Sequence, residues 1–163
     1  MDKKSRFTKI IKENEGLIFK VAILYTNSSH DKEDLYQEII FQLWKSFDTF
    51  KEESKLSTWM YRVAMNTAIY NLKSAKKQIN TIAIDTETDR LTEASDESEE
   101  RRIRLLYESI QTLNLLERGI ILLYLEGKSH QEIAEIIGIT TTNVGTKVSR
   151  IKEKLKLQIS KTQ

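Results

Sequence analysis

No proline occurs among the 163 residues of this chain, and glycine appears only five times. The punctuation that separates the many short strands of an all-β protein is therefore missing, and long helices meet no obstacle. The apolar residues point the same way. Phe7, Ile10, Ile11, Leu17, Ile18, Val21, Leu24 and Tyr25 recur at three- and four-residue spacing, as one buried helix face demands, and predict a helix over residues 5–26. Asn27, Ser28, Ser29 and His30 are turn material, after which Asp31 can cap a second helix reaching about Phe50, with Leu35, Ile39, Leu43 and Phe47 as its stripe. A polar loop over 51–55 follows, and Ser57 or Thr58 can cap a third helix ending near Lys77.

Residues 78–100 thin into Asp, Glu, Thr and Ser with few large apolar side chains. Such a stretch cannot bury enough surface to offset the entropy of ordering it, so a flexible linker is expected. Periodicity returns at Ile103, Leu106, Ile110 and Leu113; Asn114, with Glu117 three residues on, can then cap another helix ending near Gly127. Ser129, His130, Gln131 and Glu132 form a second capping box before a short helix that Gly138 stops, and Thr140 or Thr141 opens a last helix to about Lys156. The expected fold class is all-α: two small helical domains over 1–78 and 102–163, joined by an acidic strip over 79–101. The hydrophobic share of 39% suffices for two helical cores.

The absence of cysteine excludes disulfides, thiol catalysis and cysteine-ligated zinc. The first residues lead into no continuous apolar core, and the run Ile120 to Leu125 is far too short for a bilayer, so a cytoplasmic protein without membrane insertion is expected. Charge is uneven along the chain. Residues 1–80 hold 14 basic and 10 acidic side chains, 81–102 hold 3 and 8, and 103–163 hold 9 and 6. Within 138–163 the count is 6 basic to 1 acidic, which suits a polyanionic partner.

Residues 127–155 combine a short capped helix, a tight turn at Gly138, Ile139 and Thr140, and a longer helix: a helix-turn-helix pattern. Val144, Val148, Ile151 and Leu155 form the apolar stripe of that longer helix, leaving Thr142, Asn143, Thr146, Lys147, Ser149 and Arg150 outward. Hydroxyls and amides can bond base edges or phosphates, and Lys147 and Arg150 can neutralise phosphates or contact guanine. An ordinary amphipathic helix is the plainer reading of the same pattern.

Both halves resemble extracytoplasmic-function sigma factors, subunits that direct bacterial RNA polymerase to promoters. Leu113 to Arg118, Tyr124 to Gly127, Glu132-Ile133-Ala134, Val144 and Ser149-Arg150-Ile151 resemble the family's fourth region, the reader of the minus-thirty-five element. The resemblance implies a DNA surface of Thr141, Thr142, Asn143, Thr146, Lys147, Ser149 and Arg150. Asn114 stands where the family usually has proline, and Gly145 where a basic residue is common. Asp31 to Glu38 with Leu43-Trp44 resembles the second region, which implies that Asp34, Gln37 and Glu38, with Trp44 as aromatic anchor, dock on the polymerase clamp. For Asp34 alone a helix-dipole and surface role would serve equally, while the motif as a whole favours docking.

Leu56 to Asn66 resembles the family's promoter-melting segment. By that resemblance Lys55, Ser57, Trp59, Tyr61, Arg62 and Asn66 meet the minus-ten element, the 51–57 loop with Asn66 offers a pocket for an everted base, and Lys73, Lys76 and Lys77 give a basic helix end suited to phosphates. Trp59 and Tyr61 suit a core as well as a stacking surface. Tyr70 and Lys73 stand where the family often has an acid and an arginine. The implied partners are core polymerase, through its clamp and flap, promoter DNA, and an anti-sigma factor; no cofactor, metal or catalytic group is implied. A polymerase-independent helix-turn-helix regulator would need a different N-terminal half, such as a receiver domain with strands, and residues 1–80 offer none. An enzyme lacks a foothold, because His30 and His130 have no helically spaced metal partner and no phosphate loop is present.

Overall fold

The computed structural model describes residues 2–52, 54–78 and 97–162, with residues 75–78 and 162 described by their backbone alone. Among these residues the elements are helical throughout: α1 Lys3–Glu13, α2 Glu15–Leu24, α3 Ser29–Ser46, a 3-10 turn Phe47–Thr49, α4 Leu56–Gln78, α5 Glu97–Gln111, α6 Leu115–Leu125, α7 His130–Ile137 and α8 Thr141–Thr162. The chain divides into two compact units, Met1–Asp89 and Arg90–Gln163. The central part of the expected linker, 79–96, lies outside the described residues, whereas Glu97 to Glu100 already belong to α5. Glutamates in a first helical turn complement the exposed N–H groups there, which favours helix over coil.

In the first unit, the single helix expected over 5–26 is broken at Asn14. Its backbone leaves the helical region (φ −126°, ψ 22°), its amide donates back to the Ile11 carbonyl, and its side-chain Nδ2 donates to the Ile10 carbonyl at 2.8 Å. The local side-chain bond competes with the continuing ladder, as asparagine characteristically does. The second helix is capped by Ser28 rather than Asp31: Ser28 is extended and its Oγ accepts the Asp31 N–H at 3.1 Å. The third starts earlier than Ser57, since the Lys55 carbonyl accepts from Trp59 N–H at 3.2 Å. Ile18, Val21, Ala22, Ile39, Leu43, Met60, Ala64 and Ala68 are all fully buried. Alanine at 64 and 68 lets α4 approach its neighbours closely, and truncating Leu43 there would cost about 2–5 kcal/mol.

In the second unit, the α5–α6 corner is fastened from both sides. Asn114 Oδ1 accepts the Glu117 N–H at 2.8 Å and Glu117 Oε1 accepts the Asn114 N–H at 3.3 Å, a complete capping box. The Arg118 guanidinium donates to the Leu113 and Gln111 carbonyls at 3.1 and 2.8 Å, satisfying acceptors that the end of α5 leaves open. Gly138 ends α7 in the left-handed conformation, φ 86° and ψ 35°. Thr140 Oγ1 accepts the Asn143 N–H at 3.1 Å, and α8 then runs to Thr162, past the expected end near Lys156, because no glycine or proline intervenes.

Candidate nucleic-acid interface

The α7–turn–α8 element is built from its buried side outward. Val144 and Ile151 are fully buried and Val148 and Leu155 nearly so, against a core that includes Ile120, Leu123 and Ile133. Burying this stripe sets the rotation of α8 and turns Thr142, Asn143, Thr146, Ser149 and Arg150 to solvent, with Thr141 exposed at the helix start. Lys147 differs. One residue past Thr146 is a 100° step, which carries it to the flank of the face; it is half-buried, and its charge acts on Glu117 of α6. Thr146 Oγ1 donates to the Thr142 carbonyl at 3.3 Å. The glycine at 145 has its own neighbour: an added Cβ would meet the His130 ring at 3.6 Å, so a long basic side chain there would have to pass the imidazole.

Lys55, just before α4, and Arg62, Asn66 and Lys73 on it are exposed and Ser57 is half-buried; the side chains of Lys76 and Lys77 lie outside the described residues. The aromatic assignments are corrected. Trp59 and Tyr61 are buried, 8% and 4% exposed, and offer no stacking face to DNA. Trp59 lies 4.9 Å from the Phe50 ring and 6.3 Å from Phe47, while Phe47 meets Phe7 at 5.4 Å, so a cluster of rings closes the start of α4 against the 3-10 turn and α1. A cavity of about 310 Å³ borders the 51–57 loop and is lined, among the described residues, by Arg6, Ile10, Phe47, Phe50, Glu52, Ser54 and Leu56.

On α3, Asp34 and Gln37 are exposed and Glu38 is half-buried. His30 Nε2 lies 3.4 Å from the Asp34 carboxylate, and Glu38 accepts a 3.0 Å bond from Gln42 Nε2. Trp44, expected as an anchor, is largely taken up within the unit: its ring meets Phe7 edge-on at 5.1 Å, and the Lys3 ammonium sits 4.2 Å above it. Sequence reasoning passed over Phe41, which is 52% exposed one turn beyond Gln37 and Glu38. Its position opposite the Leu35–Ile39–Leu43 stripe was the available signal.

Two family models match the chain, Sigma-70 region 2 over residues 10–78 and Sigma-70, region 4 over residues 103–155. An ECF RNA polymerase sigma-E factor of Haemophilus influenzae is 30% identical over 158 residues, spanning 86% of this chain and 82% of that protein. The RNA polymerase sigma factor SigV of Bacillus subtilis is 27% identical, spanning 97% and 93%. Among solved structures, the sigma factor RpoE of Bartonella quintana, in complex with the anti-sigma factor NepR, has the same fold, with a TM-score of 0.77 at 18% identity over 95% of this chain and 97% of that one. Two sigma-70 regions in order along one chain, with an ECF sigma-E relative 30% identical over most of both chains, establish that the protein belongs to the extracytoplasmic-function group of the sigma-70 family.

Proposed function

We propose that this sigma factor docks on core RNA polymerase through the α3 face of exposed Asp34 and Gln37 and half-buried Glu38, with Phe41 beside them, opens the minus-ten element with α4, and reads the minus-thirty-five element with α8. Lys55, Arg62, Asn66 and Lys73 serve the minus-ten element. Thr142, Asn143, Thr146, Ser149 and Arg150 form the upstream reading face, with Thr141 at its start and Lys147 at its flank. The domains comprise residues 1–78 and, with the whole of α5, 97–163, and the acidic strip between them suits a path later taken by RNA. Catalysis stays in the polymerase. Among the described residues no helix is long and apolar enough to cross a membrane, and the protein acts in the cytoplasm. The Bartonella relative was solved with an anti-sigma factor; a partner of that kind, covering the same faces, would hold this chain inactive.

The observation that carries the reading is the outward polar and basic face of α8, set by the buried Val144–Val148–Ile151–Leu155 stripe. Transcription by core polymerase across a genomic promoter library, with and without the protein, tests it: a defined subset of promoters should fire only with the protein present. Arg150→Ala should weaken that subset. A base contact makes the loss sequence-dependent, about 1–3 kcal/mol, whereas a phosphate contact weakens all sites evenly and lowers the salt slope by about one. No change in either quantity removes Arg150 from the interface.

A further inference from the structure

Along α4, Arg62, Asn66, Tyr70 and Lys73 follow one another at four, four and three residues, and so share one helix face. All four are exposed, Tyr70 to 72%. The helix contains four basic residues and not a single carboxylate in its 23 residues. Its other two aromatic residues, Trp59 and Tyr61, are buried, which leaves Tyr70 as the ring on α4 that a ligand can reach. A flat ring held in water between cationic side chains, with an amide one turn away, matches the requirements of an unpaired nucleic-acid strand. The cations hold phosphates, the ring offers a stacking face to a base of any identity, and the amide can bond a base edge. An intact duplex presents no base face to such a ring.

We infer that Tyr70 is a stacking platform for an unpaired base of the DNA strand that α4 engages, and that it supplies the aromatic surface that Trp59 and Tyr61 cannot. This rests on the promoter-opening reading of α4. The cationic residues fix the strand by its backbone; Tyr70 stabilises the separated state, because its ring gains a partner only once a base has left the helical stack.

The test uses holoenzyme reconstituted from the full chain and core polymerase. The probe is the promoter fragment most strongly transcribed with the unaltered protein, prepared both as duplex and as a fork with its minus-ten segment single-stranded. Tyr70→Ala should bind core and melt thermally like the unaltered protein, yet hold the fork roughly 5- to 150-fold more weakly, the span associated with one base on one ring. Its salt dependence should be unchanged, because a ring neutralises no phosphate. Tyr70→Phe, which keeps the ring, should restore binding. Equal fork affinity for Tyr70→Ala and the unaltered protein overturns the inference and leaves the promoter reading standing, as does a Tyr70→Phe loss as large as that of alanine. If the unaltered holoenzyme binds no promoter selectively, the underlying reading falls and the inference with it.

Discussion

Lys154 of α8 donates a 2.7 Å hydrogen bond to the Glu117 carboxylate of α6, joining two helices across 37 residues of sequence. Glu117 thereby serves twice, closing the capping box of its own helix with Asn114 and tethering the reading helix. Burial works against its charge, but the Lys154 hydrogen bond, the bond with Asn114, and the charges of Lys154 and Lys147 together outweigh that cost, so its pKa is held below the ordinary 4.5. A depressed carboxylate pKa contributes stability that is fully present above the unfolded value and is lost as pH falls through the folded one. The second unit should therefore lose stability below about pH 4.5. Lys154 is 56% exposed, so solvent screening limits the pair to about 1 kcal/mol or less. Thermal melts of the full chain from pH 7 to pH 3 should show this loss, and Glu117→Gln should flatten it; an unchanged profile in the variant contradicts the assignment.

Trp59 is a core residue, and its substitutions should behave accordingly. Trp59→Ala should cost about 3–5 kcal/mol, visible as a lower melting temperature, while Trp59→Phe keeps a ring against Phe47 and Phe50 and should retain promoter opening. A Trp59→Ala protein that melts normally but fails to open promoters would return this ring to the DNA surface.

One substitution should have opposite signs at two glycines. At Gly138 nothing lies within 4 Å of an added Cβ, but φ is +86°, so Gly138→Ala should destabilise by about 1 kcal/mol through backbone strain alone. Gly145 sits inside α8, where a Cβ would make an ordinary contact with His130, so Gly145→Ala should stabilise by about 0.5–1 kcal/mol. Denaturant midpoints of the two variants measure both effects, and shifts of the same sign would contradict the backbone roles given to these two glycines.

The legible parts of this molecule were those in which one periodic signal decides the outcome. The Val144–Leu155 stripe, the Asn114–Glu117 capping box and the stop at Gly138 follow from spacing and residue type, and they fix which way α8 faces. The break at Asn14 was hidden because the apolar rhythm continues across it. Ser28 and Asp31 are both good caps, and sequence alone could not choose between them. Trp59 was ambiguous because its burial depends on two other segments, the 3-10 turn that brings Phe47 and Phe50 against it and α1, whose Phe7 backs Phe47. Tyr70 stands out only once the buried face of α4 is known, whereas Phe41 was already marked by its place opposite the Leu35–Ile39–Leu43 stripe. The acidic stretch over 79–96 lies outside the described residues.

The α3 face provides the most direct test that this protein works as a polymerase subunit. Glu38 is half-buried, and among the described residues its side-chain hydrogen bond is to Gln42 of its own helix, so Glu38→Lys should alter folding by about 0.5 kcal/mol or less. At an interface the same reversal sets like charges together and can cost several kcal/mol. The deciding measurement is a pull-down with core polymerase. Glu38→Lys should keep its helical circular dichroism and lose holoenzyme formation, while the unaltered protein binds. Normal binding and initiation by Glu38→Lys and by Gln37→Ala/Glu38→Lys would contradict the docking face, and an unaltered protein that binds duplex DNA specifically but never core polymerase would contradict the central claim.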